Sequence, residues 1–133
     1  MQLISTKICK TSDIGINDNL FGGTMLSWLD EAGGILAARC SGSTNMITMK
    51  IDEVIFKKPV KVKEHIRIYG KVDTIGRTSI SLYIEARRVN FNMDTEDQVC
   101  STKMLFVRID EQGHPVEIND QQRETVKKQC CKD

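Results

Sequence analysis

One stretch of this 133-residue chain, Gly22 to Cys40, carries apolar side chains at helical spacing, and most of the chain beyond it alternates with the two-residue period of strands. Met25, Leu26, Leu29, Leu36 and Ala37 recur three and four residues apart with no proline among them, which predicts a helix from Gly22 to Cys40. Gly33 and Gly34 would each cost about 1 kcal/mol relative to Ala inside it. The pattern continues regardless through Ile35, Leu36, Ala37 and Ala38, and glycines within a helix permit close approach to a sheet or a ligand. Met46 to Phe56, His65 to Ile75, Ser79 to Val89 and Val99 to Ile109 read as strands, as does Ile4 to Cys9 ahead of the helix. Lys58-Pro59, Gly76-Arg77 and the polar segment Asn90 to Asp97 connect them, so the later strands are expected to form an antiparallel meander. One apolar-faced helix beside a five-stranded antiparallel sheet is an α+β architecture with the helix as its filling. Residues 1–110 are expected to make this domain, and 111–133 a polar tail that is a weak surface helix or disordered.

Composition narrows the functional classes. The chain has the mass of one domain, and 40% of its residues are hydrophobic. Nineteen Lys and Arg against 18 Asp and Glu leave a net charge of +1, which supplies no field to collect nucleic acid or an anionic membrane surface. No apolar run reaches the length of a membrane span, and Met1 to Lys7 lacks the apolar core of a signal peptide, so a soluble cytoplasmic protein is expected. Cys9, Cys40, Cys100, Cys130 and Cys131 show no metal-ligand spacing, which predicts free thiols and no structural metal. Glycine-rich phosphate loops, a nucleophile elbow and a zinc-protease motif are all absent. His65, in a predicted strand, and His114, near the tail, offer no plausible triad.

The chemistry-bearing segment is the start of the helix. Thr11 to Asn19 is rich in turn and cap formers, so an exposed loop leads into Gly22-Gly23. A Gly-Gly pair opening a helix leaves backbone N–H groups unpaired and unshielded, at the end where the helix dipole favours negative charge. That is an oxyanion site in the making. Asp30 lies two turns further on, in line with Leu26 and Gly33/Gly34 rather than on a purely polar face. By spacing alone a Gly-Gly pair is most often packing, and a helical Asp is most often solvated or capping.

Phe21-Gly22-Gly23-Thr24-Met25-Leu26, followed by Trp28 and Asp30-Glu31-Ala32-Gly33, resembles the helix signature of the acyl-CoA hydrolases of hotdog fold, in which an antiparallel sheet wraps a long helix. Phe56, Lys58-Pro59-Val60 and Val62 are similar to the segment after that family's second strand, and Gly76-Arg77-Thr78-Ser79-Ile80 to a turn between its later strands. The resemblance spans roughly Thr11 to Asp110. It implies hydrolysis of an acyl-CoA thioester to a free acid and coenzyme A, with Asp30 as general base or nucleophile and no cofactor beyond the coenzyme A of the substrate. It also implies a trimer of dimers. The family commonly carries Asn six positions before the Phe of this motif, where this chain has Gly15; Asn17 and Asn19 stand nearby as candidates to orient water or thioester. Lys63 occupies a turn position where the family often has Gly.

Geometry adds a requirement. Gly22 and Asp30 are eight residues apart, about 12 Å along a helix, whereas a reacting carbonyl needs base and oxyanion donors each about 3 Å away. The site is therefore expected to combine Gly22 and Gly23 of one subunit with Asp30 of another, in a two-fold dimer. Arg77, Thr78 and Ser79, in the matched turn, and Lys58 are the candidates for holding coenzyme A phosphates. Two alternatives stand beside hydrolysis. One is a non-catalytic acyl-CoA sensor, suggested by Gly15. The other is a hydratase or dehydratase, which wants a His near Asp30 that the sequence does not supply.

Overall fold

The computed structural model describes residues 1–130, with side chains through residue 128. Strand β1 (Gln2–Ile8) leads through a 3-10 turn (Thr11–Asp13) into helix α1 (Gly22–Ser41). Strands β2 (Met46–Phe56), β3 (His65–Ile75), β4 (Ser79–Asn90) and β5 (Thr95–Arg108) come next, then helix α2 (Asp120–Cys130). The five strands form one antiparallel sheet in the order β1-β3-β4-β5-β2, so β1 and β2 are its edges. This is the α+β arrangement of one helix packed on a five-stranded sheet that the periodicities predict. Among the described residues no helix is long and apolar enough to cross a membrane.

Met25, Leu29, Ala32, Gly33, Leu36, Ala37 and Cys40 form the buried stripe of α1, at the three- and four-residue spacing of one helix face. The stripe lies on the inner residues of the sheet, among them Ile68, Ile84, Cys100 and Phe106, all at most 2% exposed. Two glycines set how closely the helix approaches. A Cβ on Gly33 would stand 2.8 Å from Met104 Sδ and 2.9 Å from Phe106 Cε1, and one on Gly70 2.9 Å from Leu36 Cδ2. The helix ends at Gly42, whose left-handed backbone (φ +69°) lets its N–H donate to the Ala38 carbonyl at 2.9 Å.

Strand β5 begins at Thr95, earlier than the alternation indicates, and pairs with β4 across a turn at 91–94. Glu96 and Gln98 face outward there and hide the strand pattern, because their partners are charged groups across the sheet rather than apolar ones. Glu96 accepts from Arg67 and Tyr69, each at 2.8 Å, and from Arg87 at 3.4 Å. Burial works against its charge, but these donors outweigh that and hold its carboxyl below the ordinary carboxylate range. Cys9, Cys40 and Cys100 are buried, Cys9 and Cys100 as free thiols, and burial pushes Cys100 up to about 11. The side chain of Cys130 and all of Cys131 lie outside the described residues.

Residues 111–128 run back onto the domain. The Ile118 N–H donates to the Arg77 carbonyl at 2.7 Å, Ile118 is 1% exposed, and Val126 of α2 joins the core. Helix α2 rests on β3 and α1.

Gly33→Val should lower the unfolding free energy by about 1–3 kcal/mol through overpacking. Gly34→Ala should raise it by about 1 kcal/mol through helix propensity, since its Cβ would reach nothing nearer than Phe106 at 4.0 Å. Urea titration reads both. A depressed carboxylate stabilises the fold above its unfolded pKa and loses that contribution as pH falls through the folded value. Glu96→Gln should therefore lower the melting temperature at about pH 7 and converge with the wild type near pH 2–3.

Candidate functional site

The loop before α1 is tied down by its backbone. Residues Ile14 and Leu20 bridge, Gly15 N–H donates to the Asn19 carbonyl at 2.8 Å, Leu20 N–H to Val60 at 2.8 Å, and Phe21 N–H to Asp13 at 2.9 Å. The Phe21 carbonyl then accepts from Thr24 at 3.0 Å and Met25 at 3.1 Å, which starts the helix. Phe21 supplies no side-chain cap, and neither Gly22 nor Gly23 N–H has an acceptor among the described residues. Gly22 opens onto a cleft of about 310 Å³ bordered also by Asn19, Met25, Phe56, Lys58 and Val60. Phe56, 54% exposed at the end of β2, covers the helix start: a Gly22 Cβ would sit 3.6 Å from its ring. The apolar walls weaken competition from water and strengthen the pull of the free N–H groups on an anionic oxygen.

Asp30 lies half-buried on α1, where its Oδ1 accepts a 2.6 Å hydrogen bond from Thr48 Oγ1. Thr48 belongs to the inner face of β2, which brings the strand edge and the helix carboxylate together. Sequence reasoning missed Thr48. Its signal was a hydroxyl in phase with Met46 on an otherwise apolar-facing strand, but only the tertiary fold shows that Asp30 stands opposite. One carboxylate oxygen is thereby held, and the other remains for a second donor.

The remaining candidates separate. Asn19 borders the cleft, whereas Asn17 is exposed and does not. Gly15 sits under Phe21, whose Cδ1 would lie 3.3 Å from a Cβ there. Lys58 borders the same cleft, 51% exposed, with its Nζ 3.8 Å from Asp97. Arg77, Thr78 and Ser79 form the β3–β4 turn, beside Arg108, which pairs with Met46 just after α1 ends. Within one chain they are thus at the far end of the sheet from Gly22. Arg77 is 73% exposed, with Glu117 at 3.3 Å. No cluster of three or more metal-ligating side chains occurs among the described residues.

Comparison with known proteins decides the family. Residues 17–90, which hold Asn19, Gly22, Gly23, Asp30, Thr48, Lys58 and the Arg77 turn, match the thioesterase superfamily. The chain belongs to that superfamily. An uncharacterized acyl-CoA thioester hydrolase of Zymomonas mobilis is 30% identical over 112 residues, 84% of this chain and 74% of that one. The acyl-CoA thioester hydrolase YciA of Salmonella typhimurium is 25% identical over 117 residues, covering 86% of this chain and 87% of its own. A solved hexameric hotdog fold thioesterase of Campylobacter jejuni superposes with a TM-score of 0.84 at 28% identity, covering 95% of this chain and 96% of that one. The fold is therefore the hotdog fold, and the enzyme class implied by the helix signature, a thioester hydrolase, holds for this member.

The bond from Thr48 restricts the Asp30 carboxylate, and the rate of thioester hydrolysis tests whether that carboxylate takes part. Thr48→Val should lower kcat with a thioester substrate by about tenfold or more while leaving KM little changed, and Thr48→Ser, which keeps the hydroxyl, should recover most of it. Thiol release detected with a colorimetric reagent measures all three proteins.

Proposed function

We propose that the protein hydrolyses acyl-CoA thioesters to a carboxylic acid and free coenzyme A, at a site shared between two subunits. The observation that carries this reading is the combination, in a chain of this superfamily, of unpaired Gly22 and Gly23 N–H groups at a helix start where Gly22 borders a cleft, and an Asp30 carboxylate anchored two turns away. The backbone donors polarise the thioester carbonyl. Asp30 takes a proton from water as the water oxygen bonds to the carbonyl carbon, and the tetrahedral intermediate collapses with loss of the thiolate, which is reprotonated. The reaction uses no metal and no cofactor other than the substrate's own coenzyme A.

The separation of about 12 Å between Gly22 and Asp30 along α1 is what calls for a second subunit. Support for one comes from edge strand β2, unpaired along its outer side, with Met49 60% and Ile55 49% exposed. Two α1 helices running antiparallel, each Gly22 facing the partner's Asp30, carry the partner's Arg77 turn out past Gly22, toward Lys58. Coenzyme A phosphates then meet cations from both chains. The hexameric state of the Campylobacter relative supports three such dimers, and the balanced charge supports a cytoplasmic, membrane-free enzyme.

Two inactive variants test the shared site. Asp30→Asn removes the base. Gly22→Pro removes one oxyanion N–H at a position where proline fits, because the first helical residue tolerates it and Phe21 already has the extended backbone (φ −64°, ψ 133°) that precedes proline. Each alone should lose at least about 100-fold in kcat. Subunits of the two, unfolded and reassembled together, should regain about a quarter of wild-type turnover, because half the dimers then hold one intact site. Failure to regain activity would reject sharing. Wild-type protein that binds coenzyme A but releases no thiol would favour the sensor reading that Gly15 suggests.

A further inference from the structure

Every fourth residue along one flank of α1, Gly22, Leu26, Asp30, Gly34 and Ala38, is half-buried, between the stripe that meets the sheet and the exposed outer face. The hydrogen bond from Thr48 sets this flank against edge strand β2. Leu26 is its one large apolar side chain. Among the described residues Leu20, Trp28 and Met46 pack against the core from its rim, and Leu26 is not one of those that do. Gly34 has equally little part in the packing, since a Cβ there would meet only Phe106, at 4.0 Å. The relief of this flank, low at Gly34 and raised at Leu26, is thus not dictated by the sheet.

Leu26 is also the midpoint between the oxyanion donors and the base. Four residues separate it from Gly22 and four from Asp30, so it stands about 6 Å from each along the helix. When two α1 helices run antiparallel with Gly22 facing the partner's Asp30, Leu26 of each chain lies at the two-fold axis, against the partner's Leu26. A thioester carbon held between Gly22 and the partner's Asp30 then has two directions open to its substituents. Outward lie the cleft that leads from Gly22 past Leu20, Phe56 and Val60 to Lys57 and Lys58, and the low surface at the partner's Gly34 on the way to its Arg77 turn. The cations claim this direction for the thiol arm and its phosphates. The acyl group leaves the same carbon on the other side, inward along the helix pair, where the two Leu26 side chains meet it. We infer that Leu26 closes the acyl end of the site and makes short, unsubstituted acyl groups the preferred substrates: the distance of about 6 Å holds an extended chain of about four carbons. A carboxylate or hydroxyl at the end of the chain is disfavoured, because it would be stripped of water against two leucines. The inference rests on the shared-site reading of acyl-CoA hydrolysis and deepens it.

The test follows thiol release from acetyl-, butyryl- and decanoyl-CoA in the wild type and in variants that move the stop. Wild type should favour butyryl- over decanoyl-CoA by about tenfold or more in kcat/KM, since surplus methylenes meet a closed end. Leu26→Ala removes bulk from both sides of the axis and should bring that ratio to about one or below. Leu26→Phe brings the stop closer and should lower butyryl-CoA about tenfold relative to acetyl-CoA, whereas Leu26→Met, similar in volume, should keep the wild-type profile. These are ratios within one preparation, so a variant that folds or pairs less well still reports its own preference. A wild type that takes decanoyl-CoA as readily as butyryl-CoA, or a profile unchanged in both Leu26→Ala and Leu26→Phe, overturns the assignment and leaves hydrolysis standing. Thiol release from none of the three substrates rejects hydrolysis instead. Calorimetry with butyryl- and decanoyl-CoA then decides the role of Leu26: a preference of about tenfold for butyryl-CoA that Leu26→Ala removes supports it, and equal affinities in the wild type overturn it.

Discussion

Helix α1 lies on the sheet with two Cβ atoms left out of the contact. Gly33 on the helix faces Met104 and Phe106, and Gly70 on β3 faces Ile84 and Leu36, at separations too short for a real side chain. The consequence reaches well beyond packing. A helix held this close places Asp30 within 2.6 Å of the Thr48 hydroxyl on β2, and it brings the first helical turn down onto Phe56 and Val60 at the other end. Raising the helix by a methyl group would separate the carboxylate from its donor and loosen the cleft together.

The same closeness explains why glycine is tolerated twice in the helix interior. Its propensity cost of about 1 kcal/mol per residue is offset at Gly33 by the apolar contact it allows across the helix–sheet interface. A Cβ on Gly34, beside it, would meet only Phe106, at 4.0 Å, so the absence of that atom contributes little to the contact. Adjacent and chemically identical positions therefore have different reasons to exist, and only the first is imposed by the sheet.

Periodicity made the helix and the long strands legible, because their buried faces are continuous and apolar, as in Ile80, Leu82 and Ile84. It failed where a strand's outward face is satisfied by polar and charged partners across the sheet. Glu96 and Gln98 belong to β5 through Arg67, Tyr69 and Tyr83, contacts between residues 15 or more apart in sequence. The site divided in the same way. Gly22, Gly23 and Asp30 could be singled out because what marks them, a glycine pair opening a helix and a carboxylate two turns on, is local to one helix. Thr48 could not, since its meaning comes from a partner 18 residues away across a strand. Choosing Asn19 over Asn17 likewise required the turn at Asp18, which directs one side chain inward and leaves the other in solvent.

Strand β2 carries two extra residues relative to β5, one between Thr48 and Lys50 and another between Asp52 and Ile55, with Glu53 in a left-handed conformation (φ +49°). A sheet edge is ordinarily open to any extended segment that approaches it. Here the kinks interrupt the row of free carbonyls and N–H groups after a few residues, so a flat foreign strand finds no uninterrupted length to zip along. The irregularity thus narrows which extended segments can add to this edge, the place where the fold is otherwise most open to unwanted pairing.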